Sequence, residues 1–376
     1  MWFSIYSYQS NFTPYMEEVL RFSPAAVGLI IGSYGFTQMV LRIPLGILSD
    51  RLGTRKLFII AGIASTFLSA LLLYFFTDMP VVLTARASAG VAASTWVSFI
   101  VLFSSYHDKE KTVKAVGTLE FFSSTGQLCG ILFGSLLIGL TVQKDKSAFI
   151  LAVILGFISF ILAFTIYEDK EKLKQDIKTT EKKAKLTEIL SDKTLIIVSV
   201  IGAVSQLITF STIFGFTPAY AKEILKINEL QNGVLMVVSY LPTAFGALFL
   251  GRFLSDRVKE YKLVFFGMLL LGSATISIPF IKFYPLLVVT QTIAGFGKGI
   301  SFPLLMGLSI KKISENARGT AMGIFQAVYS FGMFFGPFIV GVIKEFFTLG
   351  AAFIFIGSIC LVCSAVSYFA VKNLNL

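Results

Sequence analysis

The chain is poor in what soluble domains depend on. Charged residues make up 14% of its 376 positions, against about 25% in ordinary globular domains. There is one histidine, His107, in a charged loop, and there are three cysteines, Cys129, Cys360 and Cys363, all in apolar segments. With no histidine beside Cys360-x-x-Cys363 and no second cysteine pair, no metal site is expected, and the pair reads as small packing residues. The only glycine cluster with a lysine, Gly295-Phe-Gly297-Lys298-Gly299, follows no strand, so it is no phosphate loop. Nucleophile, base and ligand residues do not gather at one depth. The chain is therefore read as non-enzymatic, without cofactor and without ATP coupling of its own. The first residues lack a basic flank and a small-residue cleavage site, so no removable signal peptide is expected.

What is present is apolar and long. Hydrophobic residues reach 55%, with 39 phenylalanines and 31 glycines, and the mean hydropathy is +0.81. About 20 residues of helix cross a hydrocarbon core of roughly 30 Å. Apolar runs of that order fall at 1–20, 25–49, 57–77, 80–106, 112–141, 147–167, 194–221, 229–254, 262–282, 285–309, 317–343 and 348–371. The reading is an all-α integral membrane protein of twelve transmembrane helices. A Lys- and Glu-rich stretch, 168–193, divides it into bundles at 1–167 and 194–376. The net charge of +11 does not indicate nucleic acid, because the basic residues sit in short loops between apolar spans. Loops after the even-numbered spans, with the C-terminal tail, hold 22 of the Lys and Arg residues, and the opposite loops hold 7. By the positive-inside rule both termini and the linker are expected in the cytoplasm, with the protein in the cytoplasmic membrane.

The halves repeat each other. Gly46-Ile-Leu-Ser-Asp50-Arg51-Leu-Gly53-Thr-Arg55-Lys56 returns 205 residues later as Gly251-Arg252-Phe-Leu-Ser-Asp256-Arg257, with Lys259 and Lys262 beyond. Phe12-Thr13-Pro14 returns as Phe216-Thr217-Pro218, and Gly90 as Gly295. Gly117, Gly126 and Gly130 return as Gly323, Gly332 and Gly336. The second half carries about 22 residues of span before its Phe-Thr-Pro and the first only eleven, so helix 1 is read as short at its N-terminal end, with a start upstream of Met1 the favoured explanation.

The Gly46, Asp50, Arg51, Gly53, Arg55 and Lys56 loop resembles the signature of the major facilitator superfamily of transporters. Two parallel six-helix halves around a central site are the architecture of that superfamily. The resemblance implies that this loop latches helix 2 to helix 11 when the protein faces outward. Read from its residues alone, Asp50 can accept from amides at the head of helix 3 or pair with an arginine. Helix 5 carries Gly117, Gly126, Gly130 and Gly134, similar to the glycine motif of drug:proton antiporters, but with Ile131 and Ser135 where that motif has Pro and Gly. Helix 11 has the fuller copy, Gly323, Gly332, Gly336 and Pro337. The plain alternative is close packing between the halves.

Four ionisable residues are set deep within spans, away from their ends: Arg42, Arg86, Glu120 and Lys298. Glu120, the only acid and read as mid-helix, matches Gln326 in the repeat, so the architecture does not require its charge. It is the candidate proton-coupling group, with Arg86 as basic partner; a structural ion pair is the alternative. Arg86 in Leu83-x2-Arg86-x3-Gly90 resembles the family's helix 4 motif and is read as a cavity residue rather than one reaching the outer interface. Arg42 either serves an anion in the cavity or reaches cytoplasmic headgroups, the favoured reading. Lys298 is read as a cavity cation. Tyr8, Gln9, Asn11, Tyr34, Gln38, Gln127, Gln206 and Gln326 are candidate pore-lining residues. The expected function is proton-coupled efflux of a small organic solute by alternating access, by a monomer. Uptake or exchange of an organic anion or a sugar-like nutrient stays open, as does a receptor or lipid scramblase on the same fold.

Overall fold

The computed structural model describes residues 1–107, 112–142, 145–169, 189–249, 257–313 and 318–374. Those residues form helices and loops, with no strand among them. We number twelve helical segments. α1 covers 2–19 in three pieces, Trp2–Tyr6, Phe12–Pro14 and a π-turn Tyr15–Val19. Then follow α2 (Pro24–Leu52), α3 (Lys56–Phe75), α4 (Met79–Ser105, interrupted at Thr95), α5 (Thr112–Leu140) and α6 (Asp145–Ala163). The second series is α7 (Lys193–Leu225), α8 (Glu229–Phe249), α9 (Glu260–Phe280), α10 (Tyr284–Lys311), α11 (Arg318–Phe346) and α12 (Leu349–Lys372). Ten of the twelve are long and apolar enough to cross a bilayer, and α1 and α8 are the exceptions. The second loop motif, 251–256, and linker residues 170–188 lie outside the described residues.

Duplication is visible in the packing. α1 packs on α5 as α7 packs on α11, α2 on α4 as α8 on α10, α3 on α4 as α9 on α10, and α3 on α6 as α9 on α12. Small residues permit the close approaches. Gly90 of α4 lies against the Tyr34 backbone of α2, and Gly295 of α10 against the Ser239 backbone of α8. The Thr-Pro repeat also has a structural echo: a π-turn follows Pro14, and another, Thr212–Phe216, precedes Pro218. A proline cannot donate to the helical ladder, and one wide turn absorbs the mismatch.

The two series meet along α2–α11 and α5–α8. Over its first three turns α2 presents Gly28, Gly32 and Gly35 to the backbone of Pro337, Phe334 and Met333 on α11. Gly233 of α8 abuts Ser135 of α5, and Gly139 of α5 abuts Leu230. All these contacts crowd toward one face, away from the Lys- and Arg-rich loops. Toward the basic face the series separate: a methyl group at Gly46 or Gly323 would meet no atom within 4 Å. The molecule is closed at the far face and open at the basic face.

Candidate functional site

Charge seals the far face. Lys344 near the end of α11 reaches both carboxylate oxygens of Glu17 at 2.8 Å, with Glu223 at 3.5 Å. Lys222 lies 3.2 Å from Glu18 and 3.7 Å from Glu229, and Glu345 accepts from the Ala25 amide at 3.0 Å. Glu17, Glu18, Lys222, Glu223 and Lys344 border a cavity of about 530 Å³. Below this layer Gln9 donates to the Phe214 carbonyl at 3.0 Å, and Asn232 to that of Ser10 at 2.9 Å.

Deeper, the two series share an aromatic and cationic cluster. Tyr34 of α2 stacks on Phe210 of α7, with centroids 5.9 Å apart. Tyr6 of α1 meets Phe214 and Tyr240 edge-on, and the Tyr240 hydroxyl donates to Gln127 of α5. The Arg86 guanidinium lies 4.6 Å from the Tyr34 centroid and 5.7 Å from that of Phe12. It is 2% exposed, which excludes reaching the membrane interface, and its Nε and Nη1 find no hydrogen-bond partner.

Arg42, 6% exposed, does not reach headgroups either. It donates from Nη2 to Gln38 Oε1 and from Nη1 across to Tyr329 of α11, both at 2.7 Å. The headgroup reading is thereby corrected. One turn along α2 separates Gln38 from Arg42, and the same spacing lets Gln38 donate back to the Tyr34 carbonyl at 3.3 Å. Lys298 of α10 is buried, with Nζ 5.7 Å from the Phe214 centroid and 6.0 Å from that of Phe302. Gln326 is buried on α11, one turn before Ser330, whose hydroxyl donates to the Gln326 carbonyl. Gln206 is buried with an unpartnered Oε1, as is the Tyr8 hydroxyl.

Glu120 and Arg86 are not partners. Glu120 accepts from the Trp96 indole at 2.9 Å, and the cation whose field reaches it is Arg42. Nor is it at mid-depth. It stands eight residues into α5, about 12 Å from the basic end at 1.5 Å per residue, with its side chain exposed. The glycine motif also packs differently from the expectation. Gly130 and Gly134 of α5 press on the backbone of Phe3 and Ser7 in α1, and Gly126 lies beside Trp2 and Phe3. Gly332 and Gly336 press on Ala203 and Leu207 of α7. These are contacts within each series; the contacts between series use Gly28, Gly32 and Gly35, with Gly341 of α11 meeting Pro24. Their i, i+4, i+7 spacing is a helix-face signal that could have marked them. Pro337 contributes the carbonyl that Gly28 approaches. Gly117 is not among the residues whose surroundings are described.

In the loop after α2, Gly53 takes φ 61°, a left-handed turn suited to glycine. Arg51 is exposed, while Arg55 is buried with Nη1 on the Ser49 hydroxyl. The side chain of Asp50 lies outside the described residues. The acceptor for the α3 amides is Glu168: it takes the N–H of Arg55, that of Lys56 at 2.9 Å and the Thr54 hydroxyl at 2.7 Å. Lys56 adds a bond from Nζ to the Phe164 carbonyl at 2.8 Å. In this state the loop is tied to the end of α6. Glu168, read from sequence as the first residue of a solvated linker, was missed because a single acid ahead of a charge run carries no positional signal.

Among known proteins, the family model described as Major Facilitator Superfamily matches residues 1–224 and 199–374. The proton-coupled antiporter flippase LtaA of Staphylococcus aureus (strain USA300) is 23% identical over 373 residues, covering 97% of this chain and 91% of that protein. The protein of the same name from Staphylococcus epidermidis (strain ATCC 12228 / FDA PCI 1200) is 23% identical over 343 residues, covering 88% and 83%. Two solved structures share the fold. A bacterial homolog to the human lysosomal transporter Spinster, in inward-facing and unoccupied conformation, has a TM-score of 0.80 at 13% identity, covering 99% of this chain and 94% of that one. The nucleoside transporter NupG has a TM-score of 0.73 at 15% identity, covering 99% and 96%.

Proposed function

The chain belongs to the Major Facilitator Superfamily, and from that premise we propose that it is a proton-coupled antiporter moving an amphipathic solute by alternating access. The observation that carries this reading is the central cluster of Arg42, Arg86 and Lys298 among Tyr34, Phe210, Phe214 and Tyr329, built from both series and sealed from the far face. Rings and cations together suit a solute with an apolar body and a polar end. Proton coupling is supported by the name of the LtaA relatives and by Glu120, the one acid read as deep within a span. It is held by a neutral indole and is open to the basic side.

The two bundles, 1–167 and 194–376, rock against each other about this site. Gly46 through Lys56 act as the latch of the opposite state, in which the basic ends of α2 and α11 close. The basic face is cytoplasmic by its charge excess, and one chain is the working unit in the cytoplasmic membrane. Purified protein in liposomes tests the function. With a fluorescent short-chain phosphatidic acid as the amphipathic probe, an imposed pH gradient should drive translocation, and Glu120→Gln should remove the dependence on the gradient while protein yield holds. Translocation of equal rate with and without the gradient would make the protein a passive scramblase, and the antiport reading would fail.

A further inference from the structure

A guanidinium or ammonium withdrawn from water is stable only where counter-charge or a full set of acceptors replaces its hydration. The central cluster does not supply that replacement. Arg86 is held by two ring faces, with Nε and Nη1 unpartnered. Arg42 has three neutral acceptors, Gln38 Oε1, the Tyr329 hydroxyl and, at 3.5 Å, the Ala93 carbonyl, and its Nε is unpartnered. Lys298 sits between two rings. None of the three is within ion-pair distance of a carboxylate among the described residues. Glu120, the one acid read as deep within a span, is bonded to Trp96.

The three cations belong to one surface. Arg86 lies on the Tyr34 ring, Tyr34 stacks on Phe210, Phe210 packs against Phe214, and Lys298 lies over Phe214. On the other side Lys298 lies over Phe302, which packs on Tyr329, the residue that holds Arg42. Among the described residues the belt therefore holds three buried cations and no carboxylate in ion-pair contact with them, Glu120 reaching Arg42 only through its field. It is the complement of a ligand bearing an anionic group on an apolar body.

We propose that the solute carries a phosphate- or carboxylate-type anion, that Arg86, whose Nε and Nη1 are unpartnered, is its principal ligand through the paired Nη1 and Nη2 donors of its guanidinium end, and that Arg42 and Lys298 supply the surrounding positive field. A planar guanidinium presents two parallel donors to two oxygens of such a group. The Tyr34–Phe210–Phe214 rings face the solute's apolar part. This reading deepens the transport proposal and rests on it for the site being the one that alternates.

The test is binding by detergent-purified protein without any pH gradient, so it can fail while gradient-driven transport succeeds, and the reverse. Four probes are titrated while thermal stability is followed: inorganic phosphate, octyl phosphate, dioctanoyl phosphatidic acid and the uncharged dioctanoylglycerol. The phosphate-bearing amphiphiles should stabilise the protein where dioctanoylglycerol does not. Arg86→Gln should weaken their binding about tenfold or more, the loss of one charge-assisted bidentate contact. Arg86→Lys, which keeps the charge and loses the fork, should fall between and serves if Arg86→Gln does not fold. Lys372→Gln, an exposed lysine on the tail, should leave binding unchanged. Saturable stabilisation by phosphate alone points to a free anion as the source, and stabilisation confined to phosphatidic acid points to a lipid headgroup; both support an anion site. Equal binding of dioctanoylglycerol and phosphatidic acid overturns the proposal. So does a loss that Lys372→Gln reproduces, or binding unaltered in Arg86→Gln or, where that variant does not fold, in Arg86→Lys.

Discussion

Replacing Gly32 by alanine should open the far face. A Cβ at Gly32 would lie 2.6 Å from the Phe334 carbonyl oxygen and 3.1 Å from Phe334 Cδ2, where ordinary contacts begin at 3.4 Å. The nearest atom is backbone on α11, so no side-chain rotation relieves the overlap and α2 must withdraw. Overpacking of this kind costs about 1–3 kcal/mol. The gain in helix propensity from Gly to Ala, about 1 kcal/mol, applies to α2 in both conformations and cancels between them. The clash belongs only to the state in which α2 and α11 touch. The equilibrium should therefore move toward the far-open state by roughly 5- to 150-fold.

A reporter cysteine at Ala219, buried at the rim of the far-face cavity, reads this out in a background with Cys129, Cys360 and Cys363 replaced. Its rate of maleimide labelling from the far side should rise with Gly32→Ala. Gly46→Ala meets nothing within 4 Å and should not raise it. Folded Gly32→Ala protein that labels no faster, or Gly46→Ala that labels as fast, would refute the assignment of α2–α11 contact as the far-face seal.

Glu168→Gln should lower thermal stability by about 2 kcal/mol, because one carboxylate serves two amides and a hydroxyl at the head of α3; an unchanged melting curve would mean that water replaces it freely.

The chain's division into apolar spans was legible because a bilayer demands one property over a fixed length, and that property is visible residue by residue. The repeat was legible as well, since Gly46, Asp50 and Arg51 or Phe12, Thr13 and Pro14 recur at nearly constant offset. Burial of Arg86 and Lys298 followed from their apolar surroundings. Pairing did not follow. Glu120 and Arg86 share a half by sequence, yet Arg86 lies near the far end of α4, against Tyr34 and Phe12, and Glu120 lies near the basic end of α5, against Trp96.

Sequence alone determined a membrane-spanning, duplicated, helical transporter chain with three cations and one acid set away from the ends of its spans. Those are properties of composition and period, set locally along each helix. Only the tertiary structure decided that Gly28, Gly32 and Gly35 join the halves, that Glu168 holds the α3 amides, and that Arg42 bridges to Tyr329. Each of these depends on the rotation of one helix about its axis relative to another. A 100° step between neighbouring residues makes that rotation a matter of which surfaces pack.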